Sequence, residues 1–385
     1  MAAPAGAASF TNATPITIND AGAGDVPAAS TPYPSAIGVS GVVGTVTKVT
    51  ATLHGFHHGC AHDVDMLLAG PHGQDTILMS DAGDCLPANG QPAPIELGFD
   101  DSGPPVPCLN GGNSPLPAGT YAPTQDPSAP SGNCTRDAAV FAAPAPPGPY
   151  PLGLAVFDGL DPNGTWKLYT MDHLSDDNGA IDGGWTLDFT IPAGTLATAP
   201  QVKGKPDVGR TLAAVSGTTG GGAAPAYQWN RCSPRGTGCA PIAGAKKFTY
   251  KPKRGDQGHR LTVTETAVSS GGNSAPLGSK ATTVVGPALV SMGGTKTAQN
   301  LAKQHGLIVS LKSNIAGSLV ASATAKGARF KRVKRKLRAG KRVRLKLRLV
   351  GPPPAGAQLK ARLRLVVTDA NGVRSTKRLT VRLKR

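Results

Sequence analysis

The strongest pattern in the chain is a two-residue alternation near its C-terminus. Within Phe330–Val350, the apolar Val343, Leu345, Leu347 and Leu349 alternate with Arg342, Arg344, Lys346 and Arg348. Period two means a strand with one buried and one basic face, because an amphipathic helix repeats every 3.6 residues. Leu359–Thr368 and Arg378–Leu383 repeat the pattern, and Asp369-Ala-Asn-Gly372 between them has the chemistry of a hairpin turn. Upstream, Ile37–Leu53 alternates valine and isoleucine with small polar residues, as a half-buried strand pair does. Met66–Ala69 and Thr76–Met79 are short apolar runs separated by Gly70-Pro71-His72-Gly73, which predicts a further hairpin. No run reaches 18 apolar residues, so no membrane span is predicted.

Composition points the same way. Gly (50) and Pro (35) are abundant, only 16 % of residues are charged and 4 % aromatic, which favours all-β modules over helices. At 385 residues the chain exceeds one ordinary core. Charge then marks the boundaries. Up to Leu196 there are 3 basic and 19 acidic residues, a balance of −16. Residues 197–286 hold 12 and 3, giving +9, and residues 287–385 hold 25 and 1, giving +24. Residues 1–8, with neither a basic n-region nor an apolar h-region, are expected to be disordered. Export is argued instead from six cysteines in Gly/Pro-rich surroundings, whose even count fits disulfides in an oxidising compartment. The expected pairs are Cys60–Cys85, Cys108–Cys134 and Cys232–Cys239, although the first four cysteines admit three pairings. Cys108 and Cys134 fall in Ser102–Tyr150, an irregular stretch with 12 Pro and 6 Gly among 49 residues.

Candidate ligands crowd the first half. Asp63 and Asp65 enter the first hairpin strand, Asp81 and Asp84 leave the second, and Asp100 and Asp101 follow in a third turn. Carboxylates at strand ends in Gly-rich turns suit a hard cation, and calcium takes six to eight oxygens. The alternative is a solvated acidic surface capping turns. His54, His57, His58 and His62 surround Cys60 and offer zinc donors, but their spacing matches no closed zinc module, so structural or surface histidines are expected. Trp166 and Trp185 are expected in the core.

These segments recur in a recognisable order: FTNATPITIND at Phe10–Asp20, YPSAIGVSGVVGTVTKVTATL at Tyr33–Leu53, HDVDMLLAGPHGQDTILMSDAG at His62–Gly83, ELGFDDS at Glu96–Ser102, AGTYAP at Ala118–Pro123, FDGLDPNGTWKLYT at Phe157–Thr170, and NGAIDGGWTLDF at Asn178–Phe189. Together they resemble the P domain (P/Homo B domain) that follows the catalytic domain of subtilisin-like proprotein convertases. The resemblance implies a jelly-roll sandwich over residues 9–193. It also implies calcium near the SDAG and FDD turns, hence at Asp81, Asp100 and Asp101 with Asp63 and Asp65 nearby. Residues 197–286, with YQWNRC and GHRLTVTETAV, are similar to the immunoglobulin-like repeats of actinobacterial surface proteins, with Trp229 as core tryptophan and Tyr227 on its face. Residues 287–385 resemble the basic C-terminal β domains of exported actinobacterial proteins.

The fold class expected is therefore all-β, as three tandem β-sandwich modules. No GTS- or HGT-type subtilase segment, HExxH or GxSxG occurs, and P domains support a protease without catalysing. The function expected is a non-catalytic secreted or cell-surface scaffold; the alternative is an accessory portion of a secreted subtilisin-like serine endopeptidase. Candidate partners are a cell-envelope polyanion bound by the basic face, or a protease. Nucleic acid is disfavoured, since Phe330 is the only aromatic residue of the last module and bases would have no stacking platform. The acidic first module docking on the basic third is a further expectation. Small-angle scattering tests it: the radius of gyration should grow between low and high salt, and an unchanged radius rules the contact out.

Overall fold

A computed structural model describes residues 6–83, 85–86, 90, 92–107, 114–125, 139, 141–286, 290–293, 299–313, 316–338, 340–352, 359–369 and 374–384. The expectations for Asp84, for the Cys108–Cys134 pair and for the Asn371-Gly372 turn lie outside those residues. The architecture is nearly all β, and among the described residues no helix is long and apolar enough to cross a membrane. Contacts divide the chain into two compact units. One holds Met1–Ala197 with Thr219–Pro225 and Thr266–Ala275; the other holds Thr198–Thr218, Ala226–Glu265 and Pro276–Arg385. The sequence boundary near residue 197 is thus crossed by two short segments. The cause is local pairing, for Thr195–Leu196 pairs with Thr219–Gly220 and the Ser269 hydroxyl donates to the Pro192 carbonyl at 2.7 Å.

In the first module two sheets pack face to face. One places Trp185–Ile191 between Gly6–Asn12 and Lys48–His58. Gly6, Ala7 and Ala8, expected to be disordered, form the start of that edge strand opposite Ile191, Thr190 and Phe189. The second sheet places Val64–Ala69 between Asp75–Ser80 and Gly164–Asp172, with Ser35–Val39 beyond. Val64–Ala69 is buried at every position, so Met66–Ala69 reads as a continuous apolar run rather than an alternation, with Asp65 the one charged residue of the strand. Trp166 and Trp185 are buried between the sheets, their indole N–H groups donating to the Pro162 carbonyl at 2.8 Å and the Ser35 hydroxyl at 2.9 Å. Each large ring thus removes area from water without orphaning its one donor.

The segment that follows, residues 198–286, has its own core around Trp229, Leu212, Leu261, Val263 and Val285, with Tyr227 packed at the edge. Trp229 stacks on Tyr250 at a centroid distance of 5.6 Å. Cys232 and Cys239 are joined by a disulfide. Beside it lies a buried polar post. Asp256 is wholly buried and accepts from the Tyr250 hydroxyl at 2.7 Å, the Lys253 backbone N–H at 2.7 Å, and Arg231 Nε at 2.8 Å.

In the last module Gly306–Ser313, Gly317–Ala325, Arg342–Val350, Leu359–Asp369 and Arg374–Lys384 belong to one continuous hydrogen-bonded path. It closes around Leu307, Leu311, Leu319, Leu345, Leu347, Leu363, Leu365 and Leu383. The alternation is realised as read: Leu345 and Leu347 are buried, while Arg342, Arg344, Lys346 and Arg348 are exposed.

Asp256→Ala should destabilise the segment built on Trp229 by about 2–3 kcal/mol, because Tyr250 and Lys253 lose their acceptor while the half-exposed Arg231 turns to water. Asp256→Asn, keeping one acceptor oxygen, should cost less. Hydrogen exchange of Arg260–Val268 in the full chain measures both, and unchanged protection in the alanine variant would refute the role.

Candidate metal centre

The acidic residues singled out in the sequence part company in three dimensions. The last residues of Gly164–Asp172 run antiparallel to Val64–Ala69, with Met171 opposite Asp65 and Asp172 opposite Val64. One residue further, the His173 N–H donates to the Asp63 carbonyl at 3.1 Å. Ala61–Asp63 is a single 3₁₀ turn, tied to the outgoing hairpin turn by the Cys60–Cys85 disulfide. That turn comes close: at Gly83 (φ 106°) an added Cβ would meet Ala61 Cβ at 2.8 Å, so glycine is required by space as well as by φ. Asp81 takes a left-handed φ of 50°, which aspartate tolerates.

The outcome is a buried group at one end of the sandwich: His62, Asp63, Asp65, Asp81 and His173, each less than a tenth exposed. His62 Nδ1 lies 3.3 Å from Asp63 Oδ1, and His173 Nδ1 lies 3.7 Å from Asp65 Oδ2, an ion contact rather than a hydrogen bond. The two imidazole centroids are 6.4 Å apart. Burial alone would push the His173 imidazole down. The Asp65, Asp63 and Asp81 carboxylates outweigh it and hold His173 at about 9.

Asp100 and Asp101 are engaged elsewhere. Asp100 pairs with Lys48 at 2.6 Å and accepts from the Ser102 N–H and hydroxyl at 2.9 and 2.8 Å. Lys48 and His58 bound one extended strand, so Asp100 stands roughly 30 Å from the histidine end. Asp101 accepts from the Leu154 and Ala155 N–H groups at 2.7 and 2.8 Å, capping a short 3₁₀ helix. The two halves of the expected donor set are therefore not brought together as one.

The histidines also sort themselves. His54 bonds Glu96 and Thr186, both at 2.7 Å, and His57 lies 3.4 Å from Asp182. His58 is buried, with Nε2 3.3 Å from Asp172 Oδ2 and Nδ1 3.1 Å from Asp177 Oδ1 and 2.7 Å from the Cys60 carbonyl. Burial works against the His58 cation, but Asp172 and Asp177 prevail and raise its pKa. Burial pushes Asp172 up, with His58 only partly offsetting it, and pushes Asp177 up to about 6 against the pull of His58. Among the described residues three donor groups lie close enough to share an ion: Cys60, Asp63 and Cys85; His62, Asp63 and His173; and His58, Asp172 and Asp177. The first has its sulfurs in the disulfide, and the third is already a paired cation between two carboxylates. His173 was missed in the sequence because it sits over 100 residues from His62 and carries no local motif.

Asp177 gives a pH dependence with a definite sign. Its folded pKa of about 6 lies above the ordinary 3.8, so between these values the folded state holds more protons and stability falls as pH rises. Replacing it by asparagine should remove on the order of 1–3 kcal/mol of that fall between pH 4 and 6.5. Urea unfolding of the full chain, followed by exchange of Lys48–His58 amides, would show a flatter profile; an identical slope in both proteins contradicts the assignment.

No family model matches the chain, and no curated protein matches it. Among solved structures, the FN1–FN3 domains of chicken CNTN1 align at 13 % identity over 55 % of this chain and 81 % of theirs, with a TM-score of 0.20. A tetra-tandem repeat from the extending region of a large adhesion protein aligns at 9 % identity over 91 % of this chain and 74 % of its own, also with a TM-score of 0.20. At those scores neither likeness bears on family or function.

Proposed function

We propose that the chain is a non-catalytic, exported β scaffold: a P/Homo B-type module and an immunoglobulin-like spacer carrying a C-terminal module that binds a phosphorylated or otherwise polyanionic polymer of the cell envelope. The formed Cys60–Cys85 and Cys232–Cys239 disulfides support an oxidising compartment. For the first module, the support is the two-sheet sandwich, the Gly70-Pro71-His72-Gly73 hairpin and the two buried tryptophans, in the order the resemblance expects.

One observation carries the binding role. On the outer face of the last module Ser322, Arg364 and Arg378 form one row across three strands, and Thr324, Arg362 and Thr380 form the next. The rows are two residues apart, about 7 Å, with strands about 4.8 Å apart. They line a groove of about 660 Å³. Arg364 directly opposes Arg378, an arrangement that costs stability until an anion shares the pair. The module's single acidic residue, Asp369, lies at the far end of its strand, opposite Gly317. Guanidinium forks with flanking hydroxyls suit phosphate oxygens.

Long-chain polyphosphate should bind the full chain at 50 mM salt, with affinity falling linearly on a log–log plot as salt rises. Arg362→Gln, Arg364→Gln and Arg378→Gln together should weaken binding at least about tenfold and reduce the salt slope by about 2. Polyglutamate and duplex DNA, run alongside, should bind more weakly. A triple variant that binds polyphosphate like the parent overturns the assignment, and tighter binding of duplex DNA replaces the envelope polymer with nucleic acid.

A further inference from the structure

The buried histidine–aspartate group calls for an occupant that the sequence does not announce. His62 is 6 % and His173 8 % exposed, and neither has a hydrogen-bond partner at Nε2. An imidazole nitrogen buried without a partner is costly, and native proteins rarely leave one so. In both rings Nδ1 faces a carboxylate, Asp63 for His62 and Asp65 for His173. Neither nitrogen of the His173 ring has a hydrogen-bond partner, so its whole polar edge is open to a cation. Donor atoms of His62, Asp63 and His173 all lie within 4.8 Å of one another. Zinc bonds of about 2.0–2.2 Å place tetrahedral ligands about 3.4 Å apart, so small side-chain rotations close the set.

We infer that His62, Asp63 and His173 bind one divalent transition cation of the Zn²⁺ class. The choice of metal follows from the donors. Calcium takes oxygen ligands almost without exception, whereas two imidazoles and a carboxylate suit zinc and its neighbours. Asp65 and Asp81 place further negative charge beside the site and favour a dication there. The ion would join the Ala61–Asp63 turn to the end of Gly164–Asp172, two segments that meet here through the backbone hydrogen bond from His173 to Asp63 and the edge-on contact of the His62 and His173 rings. The role is structural cross-linking.

The full chain, stripped with EDTA and dialysed, is titrated separately with Zn²⁺, Co²⁺ and Ca²⁺. One equivalent of Zn²⁺ should bind at micromolar Kd or tighter and raise Tm. Co²⁺ should give visible d–d absorption of tetrahedral intensity, and millimolar Ca²⁺ should displace neither ion. His62→Gln with His173→Gln should abolish binding, while His57→Gln with His72→Gln, on rings outside the group, should leave it intact. Should the first pair of substitutions prevent folding, zinc-edge X-ray absorption of the unaltered protein must still find two imidazole ligands. Absence of stoichiometric binding, loss of binding in the His57/His72 variant, or preference for Ca²⁺ would each overturn the site.

Discussion

The antiparallel pairing of Val64–Ala69 with Gly164–Asp172 is the constraint on which the first module depends. It joins segments about 100 residues apart and seats the strand that is buried along its whole length. Closing so long a loop costs entropy that only dense apolar burial can offset. Leu67 and Leu68 against Tyr169 and Leu168 supply it, all four essentially inaccessible to water. The same register carries Asp172 to His58 and His173 to Asp63, so the polar groups at the strand end are placed by the apolar pairing behind them. Shifting the register by one residue would turn each of these side chains to the opposite face.

Much of the architecture is legible in the chain. The basic alternation from Arg342 to Val350, the hairpin around Gly70–Gly73 and the core placement of Trp166, Trp185 and Trp229 all follow from period, turn chemistry and size. The candidate centre is legible only in part. Carboxylates at Asp63, Asp65 and Asp81 can be picked out as a strand-end set, but Asp100 and Asp101 look equivalent in sequence and are spent on Lys48 and a helix cap. What separates them is partner geometry, which no local pattern encodes.

His58 illustrates the limit well. Alternation along Lys48–His58, with Val49, Ala51 and Leu53 inward, would bury His57 and expose His58. A bulge at Gly55, where φ is 71°, shifts the phase by one residue, so Phe56 and His58 face the core instead. A single glycine thereby decides which of two adjacent histidines meets Asp172. The Cys60–Cys85 bridge just beyond it holds the re-phased segment against the Asp81–Gly83 turn.

In the last module, period two separates two properties that most folds entangle. Inward leucines such as Leu345, Leu347, Leu363 and Leu365 set the core, while the outward positions between them carry the arginines and lysines. Because the two sets share no side chain, charge on the outer face can change in number or sign without touching the packing beneath. Substitutions on the outer face can therefore reset the module's surface potential while the leucine core stays as it is.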